Sequence, residues 1–322
     1  MEHVTKAESR TVFAYFLPFI RYPFTGEATD CPVCGSGEHQ RICGMDRKLK
    51  RLDTDICNAC GLFFHNPMPT DAELARYYAE TYRFEYQFLR RRPARGHVAR
   101  KQHEAKRRYE QAGQAIDLAK PLTTLDFGCG SGELVAHFAE QGHDAHGLEP
   151  GESFAEHAAT SAGTGTIRTE GWSRESYPEG KFDLITCLHV LEHLNRPIEA
   201  LSCMRDWLAP GGVLFLEVPD MTGYSNKGFD RFHFAHTLGF SRDNLILALR
   251  EAGMAPVALI GATSVIAARA SDPRALNVTL DLAATAQENR AAYGAPFSLS
   301  RHLKHHWRRA KRLIGREIRP EN

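Results

Sequence analysis

Two Cys-x-x-Cys pairs near the amino terminus place four thiols at a spacing that suits a metal ion. The pairs are Cys31-Pro-Val-Cys34 and Cys57-Asn-Ala-Cys60, with 22 residues between them, and a glycine follows each pair. Four thiolates presented from two tight turns are the donor set of a tetrahedral zinc site. We therefore predict Zn²⁺ on Cys31, Cys34, Cys57 and Cys60, against the alternatives of a redox pair or unligated cysteines.

A glycine-rich loop in the middle of the chain could hold a nucleoside-bearing ligand. The loop is Gly128-Cys129-Gly130-Ser131-Gly132, and an amphipathic helix begins at Glu133. Seventeen residues beyond Gly132, an apolar run ends at Glu149, where a carboxylate can accept hydrogen bonds from both ribose hydroxyls. A dinucleotide oxidoreductase is disfavoured because Glu133 replaces the third glycine of G-x-G-x-x-G. The alternative is an ordinary tight turn with a solvated Glu149.

The segments around this loop alternate between strand-like and helical patterns. From residue 122 onward, short apolar runs are followed by amphipathic helical runs, which is typical of a parallel sheet with helices on both faces. The last two apolar runs, 256–262 and 264–270, follow one another directly and predict a hairpin at the sheet edge. No fixed-period repeat is present, which argues against a solenoid.

Length and local composition predict several structural units. A chain of 322 residues exceeds the usual size of a single domain, and residues 31–66 are too poor in apolar runs to build a core without a metal or a neighbour. Thr70 is a candidate helix N-cap, and the segment beyond residue 270 is expected to be helical and peripheral. The predicted units are an amino-terminal segment (1–30), a zinc-binding module (31–66), a helical connector (67–111), a catalytic domain (112–270) and a basic tail (271–322).

Charge and cysteine usage bound the location and partners of the protein. The net charge is +1, which gives no global attraction to nucleic acid or membrane, and the four remaining cysteines are scattered as in reduced cytoplasmic proteins. The apolar run Thr11–Ile20 is too short to span a bilayer. Two basic segments, 90–108 and 301–319, could bind a sugar-nucleotide diphosphate, anionic lipid at the inner face of the membrane, or RNA; solvated helix faces are the alternative.

Three segments resemble the motifs of class I S-adenosylmethionine-dependent methyltransferases. LDFGCGSG resembles the first motif, and FDLITCLHVLEHLNRP and LAPGGVLFLEVP resemble later ones. The resemblance implies a Rossmann-like α/β domain with a seven-stranded, mostly parallel sheet and S-adenosylmethionine as cofactor. Asp126 and the glycine loop would hold the methionine part, Glu149 the ribose, and the floor of the site would lie at the end of the fourth strand. The implied cofactor-binding residues are Asp126, Gly128, Cys129, Gly130, Gly132, Glu149, Gly171 and Trp172 near adenine, and Leu188 and His189.

Methyl transfer requires little covalent help from the protein. The sulfonium is already an activated donor, so the enzyme mainly holds the acceptor in line with the methyl group, and a base is needed only if the acceptor must lose a proton. His236 is the first candidate base, because imidazole titrates near neutrality and the segment HFAH follows the fifth strand. His193, His233 and His189 are further candidates, and a packing role is the alternative for each.

The stretch after the second cysteine pair, GLFFHNPMPTDAELARYYAETYR, resembles bacterial methyltransferases that act on sugars, including deoxysugar C-methyltransferases with a zinc module. This resemblance implies that the module helps to form the acceptor pocket, with Tyr78, Tyr82 and Tyr86 near the substrate. In the C-methylating members a Glu-His pair follows the fifth strand, whereas Ala235 precedes His236 here. We therefore expect O-methylation of a nucleotide-linked or lipid-linked saccharide in surface polysaccharide or specialised glycan biosynthesis.

Two other functions fit parts of the sequence. An RNA methyltransferase could use the zinc module and the basic segments to bind RNA, but aromatic residues are not interleaved through those segments. A non-catalytic scaffold that binds zinc and cofactor is disfavoured by the intact glycine loop and Glu149. Nucleic acid therefore ranks below a saccharide as the expected partner.

Overall fold

The computed structural model describes residues 19–78, 95–222 and 231–293. The predictions for Tyr82, Tyr86, the basic residues of 301–319 and most of Thr11–Ile20 fall outside these ranges and stay predictions. The strands are β1 (His39–Met45), β2 (Arg51–Cys57), β3 (Phe63–His65), β4 (Thr123–Phe127), β5 (Asp144–Leu148), β6 (Thr166–Arg168), β7 (Phe182–Leu188), β8 (Leu208–Glu217), β9 (Leu238–Gly239), β10 (Met254–Leu259) and β11 (Ser264–Arg269).

The helices lie between and beside these strands. They are α1 (Asp71–Tyr77), α2 (Arg95–Ala112), α3 (Glu133–Glu140), α4 (Glu152–Ser161), α5 (Pro197–Trp207), α6 (Arg242–Glu251) and α7 (Leu282–Tyr293), with short 3₁₀ helices at Arg174–Ser176 and Leu191–His193. The predicted N-cap of α1 is confirmed, because the hydroxyl of Thr70 accepts a hydrogen bond from the amide of Glu73 at 3.2 Å. In the described ranges, no helix combines the length and the apolar character needed to cross a bilayer.

The larger sheet has seven strands in the order β10-β11-β8-β7-β4-β5-β6. Strands β4, β5, β6, β7 and β8 are parallel, and β11 runs antiparallel between β8 and β10. The predicted mostly parallel sheet and its terminal hairpin are therefore confirmed. The strand order reverses between β4 and β7, so the chain leaves these neighbours in opposite directions and opens a crevice at their carboxyl ends.

Apolar residues cover both faces of this sheet, because successive side chains along a strand point in opposite directions. Leu214 and Leu216 of β8 pack in one cluster with residues of α5 and α6, including Trp207. Val213 and Phe215 pack on the other face with α2 and α3. The sheet is thus a rigid, doubly covered platform for the loops at its carboxyl edge.

The smaller sheet joins the cysteine-rich segment to the catalytic domain. Its order is β1-β2-β3-β9, and β9 comes from the chain after β8, with Phe63 opposite Gly239 and Phe64 opposite Leu238. Cys57 also lies in the same apolar cluster as Trp207. The segment predicted as a separate zinc module therefore shares a sheet and a core with the catalytic domain.

Helix α7 also packs against this region. Asn289 is fully buried, and its side-chain amide donates to the carbonyl of Gly61 at 2.8 Å, while the hydroxyl of Tyr293 donates to the carbonyl of Met221 at 2.9 Å. The chain beyond residue 270 was predicted to be peripheral, and Leu282–Tyr293 packs on this region through one face that carries Ala286, Asn289 and Tyr293. The helical prediction is confirmed there, and the unit boundaries themselves stay predictions.

Candidate active site

The glycine loop follows β4 and is tied to the end of β5. The amides of Gly128 and Cys129 donate to the carbonyl of Leu148 at 2.8 and 3.1 Å. Gly128, Gly130 and Gly132 all have positive φ values, and a Cβ atom at Gly128 would lie only 2.5 Å from Cγ2 of Val190. Apart from Gly130 and its two chain neighbours, no atom of the described residues lies within 4 Å of a Cβ position at Gly130, so the loop has one closed side and one open side.

Glu149 lies directly beyond β5 and faces this loop. One carboxylate oxygen accepts from the amide of Gly130 at 3.0 Å, and the other accepts from the amide of Gly151 at 2.9 Å. Burial raises the pKa of this carboxyl above its ordinary value. A half-buried carboxylate beside a loop with an open side suits two vicinal hydroxyls, and ribose binding by Glu149 stays a prediction.

Asp126 is buried near the end of β4, with 8% of its surface exposed. The hydroxyl of Thr186 donates to its Oδ1 at 2.6 Å. Burial raises the pKa of Asp126 to about 6, although the hydrogen bond from Thr186 opposes this shift. An ionised carboxylate here would gain a partner from any cation that entered the crevice, and the methionine part of S-adenosylmethionine carries such cations.

The residues predicted near adenine lie beyond β6. Trp172 is half-buried, its ring centroid lies 6.5 Å from that of Phe127, and the guanidinium of Arg196 lies 5.5 Å from the ring centroid. Gly171 is exposed, and within the described part of the chain its Cβ position has no atom within 4 Å beyond its own residue and its two chain neighbours. This side of the crevice therefore offers an aromatic face and open space, which suit a flat base.

Leu188 is the last residue of β7 and His189 follows it, at the position that the sequence predicts. His189 adopts a positive φ of 59°, which is unusual for a residue with a side chain, and its amide donates to the carbonyl of Glu217 at 2.8 Å. Its imidazole Nε2 lies 3.0 Å from Oε1 of Glu217, and the guanidinium of Arg108 lies 2.9 Å from the same oxygen. Burial alone would raise the pKa of Glu217, but the hydrogen bond from His189 and the charge of Arg108 lower it to about 2.

Glu192 lies at the centre of a cluster of histidines, and the sequence analysis did not identify it. Its side chain is 2% exposed, and neither carboxylate oxygen has a hydrogen-bond partner within the part of the chain that the structure describes. Its Oε1 lies 3.7 Å from Nε2 of His193, 3.9 Å from Nε2 of His236 and 3.8 Å from Nδ1 of His189. Burial raises the pKa of Glu192 to about 8.

The orientation of His193 is set by its outer nitrogen. Nδ1 lies 2.7 Å from the carbonyl of Ala235 and 2.7 Å from the hydroxyl of Tyr78. Because a carbonyl can only accept, Nδ1 carries the proton and Nε2 presents its lone pair towards Glu192. Burial lowers the pKa of His193 to about 4, so this imidazole is neutral near pH 7.

The structure also brings the other two candidate bases into this cluster. The ring of His236 lies 4.8 Å from that of His193 and 3.8 Å from that of His233, between centroids. His233 is 3% exposed and His236 is 26% exposed in its side chain, so His236 is the more accessible of the two. Burial lowers the pKa of both imidazoles well below the ordinary value. The catalytic role of each histidine stays a prediction.

The four cysteines of the two pairs meet in one cluster. Sγ of Cys31 lies 3.6 Å from that of Cys60, Sγ of Cys34 lies 3.5 Å from that of Cys57, and all four sulfurs lie within 4.8 Å of one another. These separations are far beyond a disulfide bond. A tetrahedral zinc site with Zn–S bonds of about 2.3 Å places its sulfurs roughly 3.8 Å apart, so the cluster has the donor set and dimensions to hold Zn²⁺.

A family model described as a methyltransferase domain matches residues 97–259, just over half of the chain. The chain belongs to this family. The sequence-based prediction of a class I S-adenosylmethionine-dependent methyltransferase domain is thereby confirmed, and S-adenosylmethionine is the cofactor that the family supports. The match covers the glycine loop, Glu149 and the Glu192 cluster, whereas the cysteine pairs lie outside it.

Curated relatives resemble only part of the chain. It is 34% identical to a ubiquinone biosynthesis O-methyltransferase of Psychrobacter cryohalolentis over 99 aligned residues. These residues cover 29% of this chain and 38% of that protein. A protein of the same name from Pseudomonas paraeruginosa is 31% identical over 99 residues, which cover 29% of this chain and 43% of that protein. The chain thus spans less than half the length of these relatives.

Solved structures of low identity are also similar. The match to the magnesium protoporphyrin IX methyltransferase of Synechocystis, with bound SAH, has 18% identity and a TM-score of 0.45. It covers 62% of this chain and 100% of the methyltransferase. The match to a methyltransferase of Thermotoga maritima, described as a possible histamine N-methyltransferase, has 17% identity and a TM-score of 0.38. It covers 53% of this chain and 92% of the Thermotoga protein.

Proposed function

We propose that this protein transfers the methyl group of S-adenosylmethionine to a hydroxyl oxygen of a saccharide, nucleotide-linked or lipid-linked. The observation that carries the proposal is the arrangement at the carboxyl edge of the large sheet. A cofactor crevice formed by Asp126, the glycine loop and Glu149 adjoins a buried carboxylate, Glu192, that is surrounded by imidazoles. The first part suits the methyl donor, and the second suits an acceptor that must lose a proton.

The cofactor would lie along the crevice from Asp126 to Trp172. Asp126 would pair with the ammonium group of the methionine part, and Glu149 would accept hydrogen bonds from the ribose hydroxyls in place of the amide of Gly130 that it binds here. Trp172 would border the adenine. This order directs the sulfonium methyl towards the end of β7, where His189 and Glu192 lie.

The reaction needs a deprotonated acceptor oxygen in line with the methyl carbon. The oxygen forms a bond to that carbon, the carbon–sulfur bond breaks with its electron pair passing to sulfur, and the neutral thioether leaves. The hydroxyl proton is removed at the cluster of Glu192 and the histidines. His236 is the member best placed to meet an acceptor, since 26% of its side chain is exposed.

Oxygen is favoured over carbon as the methylated atom. Ala235 stands where C-methylating sugar enzymes are expected to have a glutamate, and in this structure it is fully buried and contributes only its carbonyl, to His193. The names of the curated relatives also describe O-methylation. Because those names place the reaction in ubiquinone biosynthesis, ubiquinone precursors form the second class of acceptors to be tested.

A saccharide acceptor is supported by the region that borders the cluster. The hydroxyl of Tyr78, in the stretch that resembles sugar methyltransferases, lies 2.7 Å from Nδ1 of His193. The four cysteines would hold Zn²⁺ as a closed structural site, since all four positions of the tetrahedron are taken by protein thiolates. Zinc would then fix β9 and the segment after α1 that carries Tyr78 at this edge.

The experiment uses the full, zinc-loaded chain with S-adenosylmethionine and panels of sugar nucleotides, lipid-linked saccharides and ubiquinone precursors. S-adenosylhomocysteine formation and the mass of the product report turnover, and calorimetry reports cofactor binding. We expect Glu149→Ala to lose cofactor affinity and His236→Ala to lose turnover while still binding the cofactor. The matched control is Glu140→Ala, whose carboxylate is 72% exposed at the end of α3.

Several outcomes would contradict the proposal. A folded, zinc-loaded protein that binds no S-adenosylmethionine would refute methyl transfer altogether. Cofactor binding without transfer to any acceptor would favour a scaffold. Methylation of RNA, with an RNA affinity that falls steeply as salt rises, would favour the RNA methyltransferase, and the basic segment 301–319 would then be the first place to look for contacts.

A further inference from the structure

The buried cluster around Glu192 has more donor atoms than a single proton transfer requires. Oε1 of Glu192, Nε2 of His193 and Nε2 of His236 all lie within 4.8 Å of one another. A buried carboxylate without a hydrogen-bond partner is costly, and most such groups in proteins are paired with a cation or a donor. Glu192 meets neither condition within the described residues, and both of its oxygens are enclosed.

The spacing of these three atoms matches a metal ion. Two of the three separations are 3.7 and 3.9 Å, and the third is at most 4.8 Å. An ion equidistant from the three atoms would lie roughly 2.0–2.4 Å from each, close to the bonding distances of about 2.0–2.2 Å for imidazole and carboxylate ligands. Only small side-chain rotations are therefore needed to bind an ion here.

Outer hydrogen bonds orient two imidazoles for this purpose. Nδ1 of His193 donates to the carbonyl of Ala235, which leaves Nε2 free to act as a ligand. Nε2 of His189 faces the carboxylate of Glu217 at 3.0 Å, which leaves its Nδ1 on the side of Glu192 at 3.8 Å. Carbonyl and carboxylate groups that hold the outer nitrogen of a histidine are the usual second layer of protein metal sites.

We propose that Glu192, His193 and His236 bind one divalent metal ion, with His189 as a further ligand, and that the ion binds the acceptor hydroxyl. The second part rests on the proposed function. One carboxylate oxygen and two or three imidazole nitrogens suit manganese, iron, cobalt or zinc better than magnesium, which prefers oxygen ligands. His236 and His189 are 26% and 46% exposed in their side chains, so the site is open on the side where an acceptor would enter.

The ion would sit beside the methyl donor. Val190 packs against the glycine loop at Gly128 and lies in the same short segment as His189, Glu192 and His193. Bound to the ion, the acceptor hydroxyl becomes more acidic and releases its proton to water. The resulting oxygen anion bonds to the methyl carbon, and the electron pair of the broken carbon–sulfur bond passes to sulfur. His236 then acts as a ligand, and the ion replaces it in activating the hydroxyl.

The test measures metal binding apart from turnover. The full chain is loaded with one equivalent of zinc, which the four cysteines take up, and is then desalted and titrated with Mn²⁺, and the unbound ion is quantified by its electron paramagnetic resonance signal. We expect one Mn²⁺ per chain and at least a 100-fold loss of affinity in Glu192→Gln and in His236→Ala. The partly exposed His236 provides a second variant in case the buried Glu192 position does not tolerate substitution.

The matched controls are His137→Ala and Glu140→Gln, because these residues form a His–carboxylate pair of 3.7 Å on α3 outside the cluster. Both controls should keep the Mn²⁺ affinity of the unmodified chain. Absence of Mn²⁺ binding by a protein that binds S-adenosylmethionine would overturn the proposal, as would full Mn²⁺ affinity in Glu192→Gln.

Turnover separates this proposal from the proposed function. We expect Mn²⁺ to raise the methylation rate of the desalted protein at least tenfold, and a rate that ignores Mn²⁺ would overturn the binding of the acceptor to the ion. Failure to methylate any acceptor would count against the proposed function alone, because metal binding and its loss in the variants would still be measured.

Discussion

Replacing Glu192 by glutamine is expected to make the metal-free protein more stable and less active. In the folded protein, burial raises the pKa of this carboxyl to about 8 from an ordinary value of 4.5. In the unfolded chain the carboxyl is hydrated and ionises normally. Folding at neutral pH must therefore either protonate Glu192 or bury its charge, and both are unfavourable. Glutamine has nearly the same shape and no charge, so it removes this cost.

The size of the effect follows from the two pKa values. Stability from a group with a raised pKa is fully present below the unfolded value of 4.5 and is lost as pH rises towards the folded value of about 8. At 1.36 kcal/mol for each pH unit, the loss is roughly 1 kcal/mol at pH 5.5 and about 3 kcal/mol at pH 7. Above pH 8 it approaches about 5 kcal/mol. The amide and the protonated carboxyl are equally unpaired, so their remaining burial costs cancel to first order.

The assay is thermal and urea unfolding of the desalted, zinc-loaded protein at pH 5.5, 7.0 and 8.5. We expect Glu192→Gln to be about 3 kcal/mol more stable than the unmodified protein at pH 7, or roughly 5–10 °C in unfolding midpoint, and the difference to grow with pH. Added Mn²⁺ should stabilise the unmodified protein and leave the variant unchanged.

The control and the refuting result are equally direct. Glu140→Gln alters a carboxylate that is 72% exposed, so its stability should stay within about 0.5 kcal/mol of the unmodified protein at every pH. A Glu192→Gln protein that is less stable at pH 7, or whose difference does not depend on pH, would show that Glu192 is ionised and well paired in the fold. The reasoning from its burial would then be wrong.

Three further predictions concern the cofactor loop and the cysteines. S-adenosylmethionine affinity should fall about tenfold per pH unit below pH 6, because Asp126, whose pKa is raised to about 6, must ionise to hold the cationic methionine part. Calorimetry from pH 5 to 8 tests this prediction. An unchanged dependence of affinity on pH in Asp126→Asn would contradict it. Gly128→Ala should lower cofactor affinity at least tenfold, since the new Cβ would lie 2.5 Å from Cγ2 of Val190, whereas Gly142→Ala, with φ of 88° and open space, should only lower stability slightly. Cys57→Ser should lose one bound zinc per chain relative to the unmodified protein, measured by elemental analysis, and several kcal/mol of stability; an unchanged zinc content would refute the four-thiolate site.

Local features of the sequence were sufficient to predict the catalytic domain. A loop such as Gly128–Gly132 is recognisable because each glycine has a positive φ that other residues adopt only with strain. The strands are recognisable because buried strands need continuous apolar runs. Glu149 could be located because it follows such a run directly. In each case the physical requirement acts within a few residues, so the sequence itself carries the signal.

The cluster of Glu192 and the histidines depends on contacts that no local pattern reveals. Glu192 has the ordinary neighbours Leu191 and His193, and its burial becomes evident only when the segment after β7 and the segment after β8 are packed together. The orientation of His193 depends on the carbonyl of Ala235, 42 residues away, and on Tyr78, 115 residues away. Because a backbone carbonyl has no residue-specific signature, a role of this kind leaves no trace in composition or spacing.

The sequence by itself determined the sheet, the cofactor loop with its carboxylate, and the four thiols with metal-ligand spacing. Only the tertiary structure decided that β9 joins the cysteine-rich segment and that α7 packs on it through Asn289 and Gly61, 228 residues apart. It also decided that Glu192 lies among histidines, with no hydrogen-bond partner among the described residues. The reason is that backbone conformation and apolar periodicity are set by near neighbours, whereas burial, pKa and ligand geometry are set by whichever distant segments the fold brings into contact.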